Sequence, residues 1–290
     1  MKLVELNLVF LCVITSANVF AQAGFVALPR LGNAESAYVL CNPTGEYGLS
    51  AASVPNEDKH KACAVSNADL LASPMNAPLD GFRLVGMMVS DVEMPKPPAG
   101  KRPDVAVLTD AIWRNKENTE CILGTHLQMK DAQLANGQYW EVNDIARAGF
   151  AGRDVAIAYF YKLPSAEIGG GAEVLFRAGR TFTSVKTSAE DKSLPSIKNA
   201  PPTNVAISEN NAAAVSENWV DYTTDLSFKD GDGATRANSS IFYIKYSCDA
   251  RDPISKLDAI RFRTTGQSGQ KPGEITAPGL VPADGMVDKF

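Results

Sequence analysis

Histidine is nearly missing from this chain: His60 and His126 are the only two among 290 residues. That scarcity narrows the chemistry, because a serine or cysteine nucleophile needs a base within hydrogen-bond reach and histidine is the usual one. The G-x-S-x-G elbow of the α/β-hydrolases is absent, "GQSGQ" placing its second glycine one position early. No H-E-x-x-H zinc motif, phosphate-binding loop or dinucleotide fingerprint occurs. Without a C-x-x-C pair, a thioredoxin-like centre, a c-type haem attachment and a clustered-cysteine zinc site are all excluded. Basic residues do not dominate either, 28 against 33 acids for a net charge of −5, so neither nucleic acid nor anionic lipid is an expected partner. No apolar run reaches the roughly 20 residues that span a bilayer.

What is present begins with an address. "MKLVELNLVFLCVITSANVFAQAGF" has a lysine at its start, an apolar stretch from Leu6 to Ile14, and the small-residue ending Ala21-Gln22-Ala23. This is the pattern of a secretory signal peptide over residues 1–23 with the mature chain starting at Gly24. Cys12 lacks the small residues that precede a lipidated cysteine. The expected location is secreted, periplasmic or cell-surface.

Removing Cys12 leaves Cys41, Cys63, Cys121 and Cys248, an even number in a chain bound for an oxidising compartment, so two disulfides are expected. Three connectivities exist. The preferred one joins Cys41 to Cys63 across a polar loop and Cys121 to Cys248 between two strand-like segments.

Strand signals dominate the rest. Phe82 to Val89, Val105 to Leu108, Val155 to Tyr161 and Ile241 to Tyr246 are short runs rich in β-branched, aromatic or other apolar residues, bounded by turn formers, and Ala259 to Thr264 alternates at period two. Val174 to Arg177 and Thr181 to Val185 read as two strands across "AGR", a turn or bulge. Helical candidates are confined to Asn67 to Ala72 and Val142 to Ala148, with Asn143 as a cap. The expectation is an all-β chain, a β-sandwich or jelly-roll-like fold with long loops and little helix. Residues 24–290 form one domain in this reading. Met94 to Asp104 is a Pro-rich basic loop, Lys186 to Asn218 (186–218) a flexible polar stretch, and a second domain starting at Trp219 is the alternative. Pro278 to Phe290 reads as a tail.

Function leaves weaker traces. "NTECILGTHLQM" places Cys121 five residues from His126, yet side chains alternate along a strand, so the two face opposite sides unless Gly124 marks a bulge. Metal binding is the most testable specific role: copper held through His60 and His126, or calcium held by Asp230 and Asp232 in "SFKDGDGATRANSS", with Asp221 and Asp225 as further ligands. Asp-Gly is equally a plain hairpin signal. The alternative is a carbohydrate-active enzyme or glycan-binding module, with Glu141 and Asp144 as a carboxylate pair flanked by Tyr139 and Trp140. Arg147, Arg153, Arg177, Arg180, Arg261 and Arg263 stand beside apolar strand residues, and Arg261 and Arg263 share a face opposite Ile260 and Phe262. Such a face binds a carboxylate or a sulfated glycan, or else simply pairs with acids on a solvated sheet. The resulting reading is an exported binding or surface-associated protein, non-enzymatic, with an unidentified protein or glycan partner.

Overall fold

The computed structural model describes residues 24–30, 38–41, 63, 73, 76–94, 103–134, 136–160, 172–173, 175, 177–181, 215–229, 236–264 and 273–288. In chain order the strands are β1 (Val26–Leu28), β2 (Tyr38–Leu40), β3 (Phe82–Glu93), β4 (Asp104–Asn115), β5 (Glu120–Met129), β6 (Glu141–Arg147) and β7 (Val155–Phe160). They are followed by β8 (Ala172–Glu173), β9 (Arg177–Gly179), β10 (Val220–Ser227), β11 (Asn238–Ser239), β12 (Ile241–Ser247), β13 (Ile254–Thr264) and β14 (Gly273–Val281). Among the described residues there is no helix, and the expected β-sandwich is what the chain forms.

Eight strands make one sheet, with β3, β4, β5, β12, β7 and β1 running from edge to edge, β11 pairing with β5 and β8 with β11. The other sheet has six, in the order β14-β13-β6-β10-β9-β2. Every pairing is antiparallel except β11 with β8. Strands before residue 160 and after residue 219 alternate within both sheets, so the two stretches build one sandwich.

Inward-facing side chains explain why the sheets close. Leu108 and Ile112 of β4, Leu123 and Leu127 of β5, and Ile157 of β7 meet Ile145 of β6, Tyr222 of β10 and Phe262 of β13 in one core. Tyr222 stacks on Phe242 from the opposite sheet at 4.8 Å and donates its hydroxyl to the Tyr243 carbonyl at 2.9 Å. Burial pushes the Tyr222 hydroxyl well above the ordinary tyrosine range. A second apolar layer covers the outside of the eight-stranded sheet, where Trp113, Ile122 and Tyr243 pack with Phe25, Leu79 and Phe82.

Both disulfides follow the preferred pairing. Cys41 directly follows β2 and is bonded to Cys63, whose carbonyl accepts from Tyr159 N of β7, so this bridge ties the edge strand of one sheet to β7 of the other. Cys121 and Cys248 join neighbouring strands β5 and β12 within one sheet.

Three local expectations are corrected. Val142 to Ala148 is not a helical turn: β6 lies between β10 and β13, and two strand partners outweigh a weak helical pattern. The "AGR" stretch is not a turn between strands, because Ala178 and Gly179 continue β9. Pro278 to Phe290 is no loose tail either. Its first residues complete β14, and Asp288 accepts from Trp219 Nε1 at 2.7 Å. The helical candidate Asn67 to Ala72 lies outside the described residues.

Candidate functional site

Charge is concentrated on the outer face of the six-stranded sheet. Strand register places Glu274, Arg263, Asp144, Thr223 and Arg177 directly opposite one another in a single row across β14, β13, β6, β10 and β9. One step along the strands, Arg261 and Asp221 occupy the neighbouring row. Glu274, Arg263 and Asp144 alternate in sign across adjacent strands, which stabilises that part of the row, while Thr223 stands between Asp144 and Arg177. Arg263 lies 2.6 Å and Arg261 3.4 Å from Glu274, Arg177 Nε donates to Thr223 Oγ1 at 3.3 Å, and Arg261 also lies 4.8 Å over the Trp219 ring.

The alternation of Arg261 and Arg263 against Ile260 and Phe262 is as expected. Solvation is not: Asp144, Asp221, Arg177 and Arg263 are fully buried. Pairing makes that possible, because a buried charge is tolerated only beside a counter-charge or hydrogen-bond partner.

Between the two rows, Asp221 and Asp144 are hydrogen-bonded to each other, and the Asp221 carboxyl is raised well above the usual carboxylate range. Burial is the main cause, repulsion from Asp144 and the hydrogen bond to it add to the shift, and Arg177 and Arg263 oppose it. Asp221 thus holds its proton beside Asp144 and between two guanidiniums. The folded state holds that proton to a pH at which the unfolded chain, with Asp near 3.9, has released it. Asp221 therefore favours folding most below the unfolded value, and its contribution falls as pH rises toward the folded one. Asp221→Asn is expected to be more stable than the parent at neutral pH, by roughly 2–4 °C in Tm for each kcal/mol relieved, the gain shrinking toward pH 4. Melting curves between pH 4 and 9 check this; a loss of Tm at pH 7 would mean that Asp221 is ionised against its arginines.

The carboxylates singled out in the sequence have different surroundings. Glu141 accepts from Asn143 Nδ2 at 2.7 Å, and the same amide reaches Asp225 at 3.0 Å, whereas Asp144 turns to Asp221. Of the flanking aromatics, Trp140 is buried edge-on against Phe262, and Tyr139 packs on Phe228 and donates to Asp131.

His126 lies on the outer face of the eight-stranded sheet, opposite Thr109 and 2% exposed. Cys121 points the other way, into the core. Gly124 marks no bulge, for the register of β5 runs unbroken past it on both sides. It is glycine because a methyl there would come 2.8 Å from the Trp113 ring. His60, Asp230 and Asp232 lie outside the described residues. Among the described residues no group of three or more His, Cys, Asp and Glu is arranged to hold a metal.

Arg180, Arg114, Arg153 and Arg251 are committed to structure. Arg180, lowered to about 10 by burial, reaches the carbonyls of Phe150, Arg153 and Glu217. Beside the Cys121 to Cys248 bridge, Arg114 donates to the carbonyls of Ala250 and Arg251, while Arg153 and Arg251 clamp Asp284.

A different kind of site emerges from exposure. Six large apolar side chains are exposed among the described residues, and four of them, Met87, Val89, Ile254 and Leu257, belong to β3 and the start of β13. Met87 and Val89 stand side by side on the outer face of the eight-stranded sheet, opposite Ala111 and Thr109, whereas β13 touches the inner face of β3: Ser255 Oγ lies 3.6 Å from the Met88 sulfur, and a methyl on Gly86 would meet Pro253 at 2.8 Å. Leu257 is 76% exposed because β13 loops out there, its register with β14 shifting between Lys256 and Ile260. Asp258 holds the loop in the left-handed region at φ 58° and accepts from Thr276 Oγ1 at 2.6 Å. Residue order signals neither exposure, since Met87 and Val89 sit in an ordinary strand run and Leu257 is a lone apolar residue between Lys256 and Asp258.

Comparison with family models, with curated proteins and with solved structures finds no match. The class the structure itself defines is a disulfide-bonded antiparallel β-sandwich. Two disulfides point to an oxidising, extracytoplasmic compartment, and no described helix is long and apolar enough to cross a membrane.

Proposed function

We propose that this is an exported, non-enzymatic interaction module whose contact surface is the outer face of β3. The observation that carries the reading is that Met87 and Val89 stand side by side on that face, 45% and 59% exposed. Apolar residues scattered singly over a surface need no explanation, whereas a cluster marks an interaction site. Support also comes from the polar side of the molecule. Its buried acids and arginines are engaged with one another, an arrangement suited to holding a scaffold rigid behind a binding surface.

A random-peptide library displayed on phage and selected on the immobilised protein tests this. Enriched clones should lose binding about tenfold or more, the 1.4 kcal/mol expected of a contact residue, when Met87 and Val89 are both replaced by lysine. They should keep it when Val215, exposed elsewhere, is replaced in the same way. Clones indifferent to Met87→Lys/Val89→Lys would remove the proposed surface.

A further inference from the structure

The edge of β3 narrows the kind of partner this surface takes, an argument that rests on the interaction reading above. β3 pairs with β4 and with no other described strand. Such an edge offers a row of N–H and C=O groups to any extended chain, and natural sheets blunt it with bulges and charge. Here the blunting is confined to the ends. The register with β4 shifts between Leu84 and Gly86 and again between Val92 and Glu93, and Asp91 and Glu93 are exposed acids. Between those points β3 runs in unbroken register, and on the outer face of the sheet Met87 and Val89 are 45% and 59% exposed.

We infer that β3 receives an extended strand of another polypeptide, antiparallel to it, carrying basic residues two apart followed by apolar residues two apart. Antiparallel pairing is the slightly more stable arrangement per residue, and it brings the incoming N-terminal end to Asp91 and Glu93. Side chains two apart share one face, so the partner's apolar residues then lie beside Val89 and Met87. Charge complementarity sets the direction and the main chain supplies the attraction, as in other cases of strand addition. Lys130 already lies 2.6 Å from Asp91. A pair this exposed is screened and exchangeable, so an incoming cation can share the carboxylate.

The test uses the full chain and a labelled octapeptide, Lys-Thr-Lys-Thr-Val-Thr-Val-Thr, with a charge-reversed form in which glutamate replaces both lysines. Two further forms carry N-methyl groups on the odd-numbered or the even-numbered amides. In a strand, alternate amides point to the same edge, so one methylated form should lose binding and the other keep it. Hydrogen exchange should slow along β3 on binding. Asp91→Lys should weaken the lysine peptide about fivefold, the effect of losing one exposed ion pair, and favour the glutamate form. Equal binding of both methylated forms, protection away from β3, or no binding by any peptide would overturn strand addition. If both methylated forms bind alike while Met87→Lys/Val89→Lys still removes the selected phage clones, the surface stands and only strand addition falls.

Discussion

Asp110→Ala is expected to cost about 3–5 kcal/mol of folding stability, a large share of the ~5–15 kcal/mol available to a domain. Asp110 and Arg147 face each other across the sandwich interior, both fully buried, with Arg147 Nη1 2.7 and 2.8 Å from the two carboxylate oxygens. Thr125 Oγ1 and Leu280 N also donate to this carboxylate, and Arg147 Nη2 donates to the Leu280 carbonyl. One pair therefore joins β4 of the first sheet to β6 and β14 of the second. Gly279 makes the approach possible, since a methyl there would lie 2.6 Å from Ile260 and 3.3 Å from Arg147 Nη1. Alanine at 110 strands a guanidinium in the core. Guanidinium chloride unfolding should show a strongly lowered midpoint, and Asp110→Leu combined with Arg147→Met should recover most of the loss, because an apolar pair escapes the desolvation cost. A single variant unfolding at the parent's midpoint would show that water reaches the pair.

The second large effect is expected from Cys121→Ser/Cys248→Ser. This bridge closes a loop with a sequence separation of 127, against 22 for the Cys41 to Cys63 bridge. Chain entropy then assigns about 5 kcal/mol to the long bridge and about 3 kcal/mol to the short one. Denaturation of the two double-serine variants measures the order directly. Should the short bridge prove the more valuable, its role in joining the two sheets outweighs its loop length, and the entropic account fails here.

Much of the architecture is legible in residue order because strand signals are local. The alternation in Ala259 to Thr264 and the β-branched and aromatic run Ile241 to Tyr246 survive intact in β13 and β12. Failure comes where neighbours decide. "EVNDIAR" has a polar and acidic composition that suits a turn, and only the strands on either side of β6 make it extended. With β6 misread, Asp144 cannot be placed opposite Arg263, so the charged row is invisible although its arginines are singled out. Asp110 gives no local sign of its role, because its partner Arg147 is 37 residues away on the other sheet. The exposed cluster around β3 is equally silent: a run such as Gly86-Met87-Met88-Val89 reads the same whether its edge is covered or bare.

Strand order also dictates when the molecule can become itself. β6 is flanked by β10 and β13, and β12 stands between β5 and β7. A chain arriving from its N-terminus can zip β3, β4 and β5 into a meander, but β6 waits without a neighbour until Val220 and later residues have been delivered. So much dependence on distant pairings makes for slow folding.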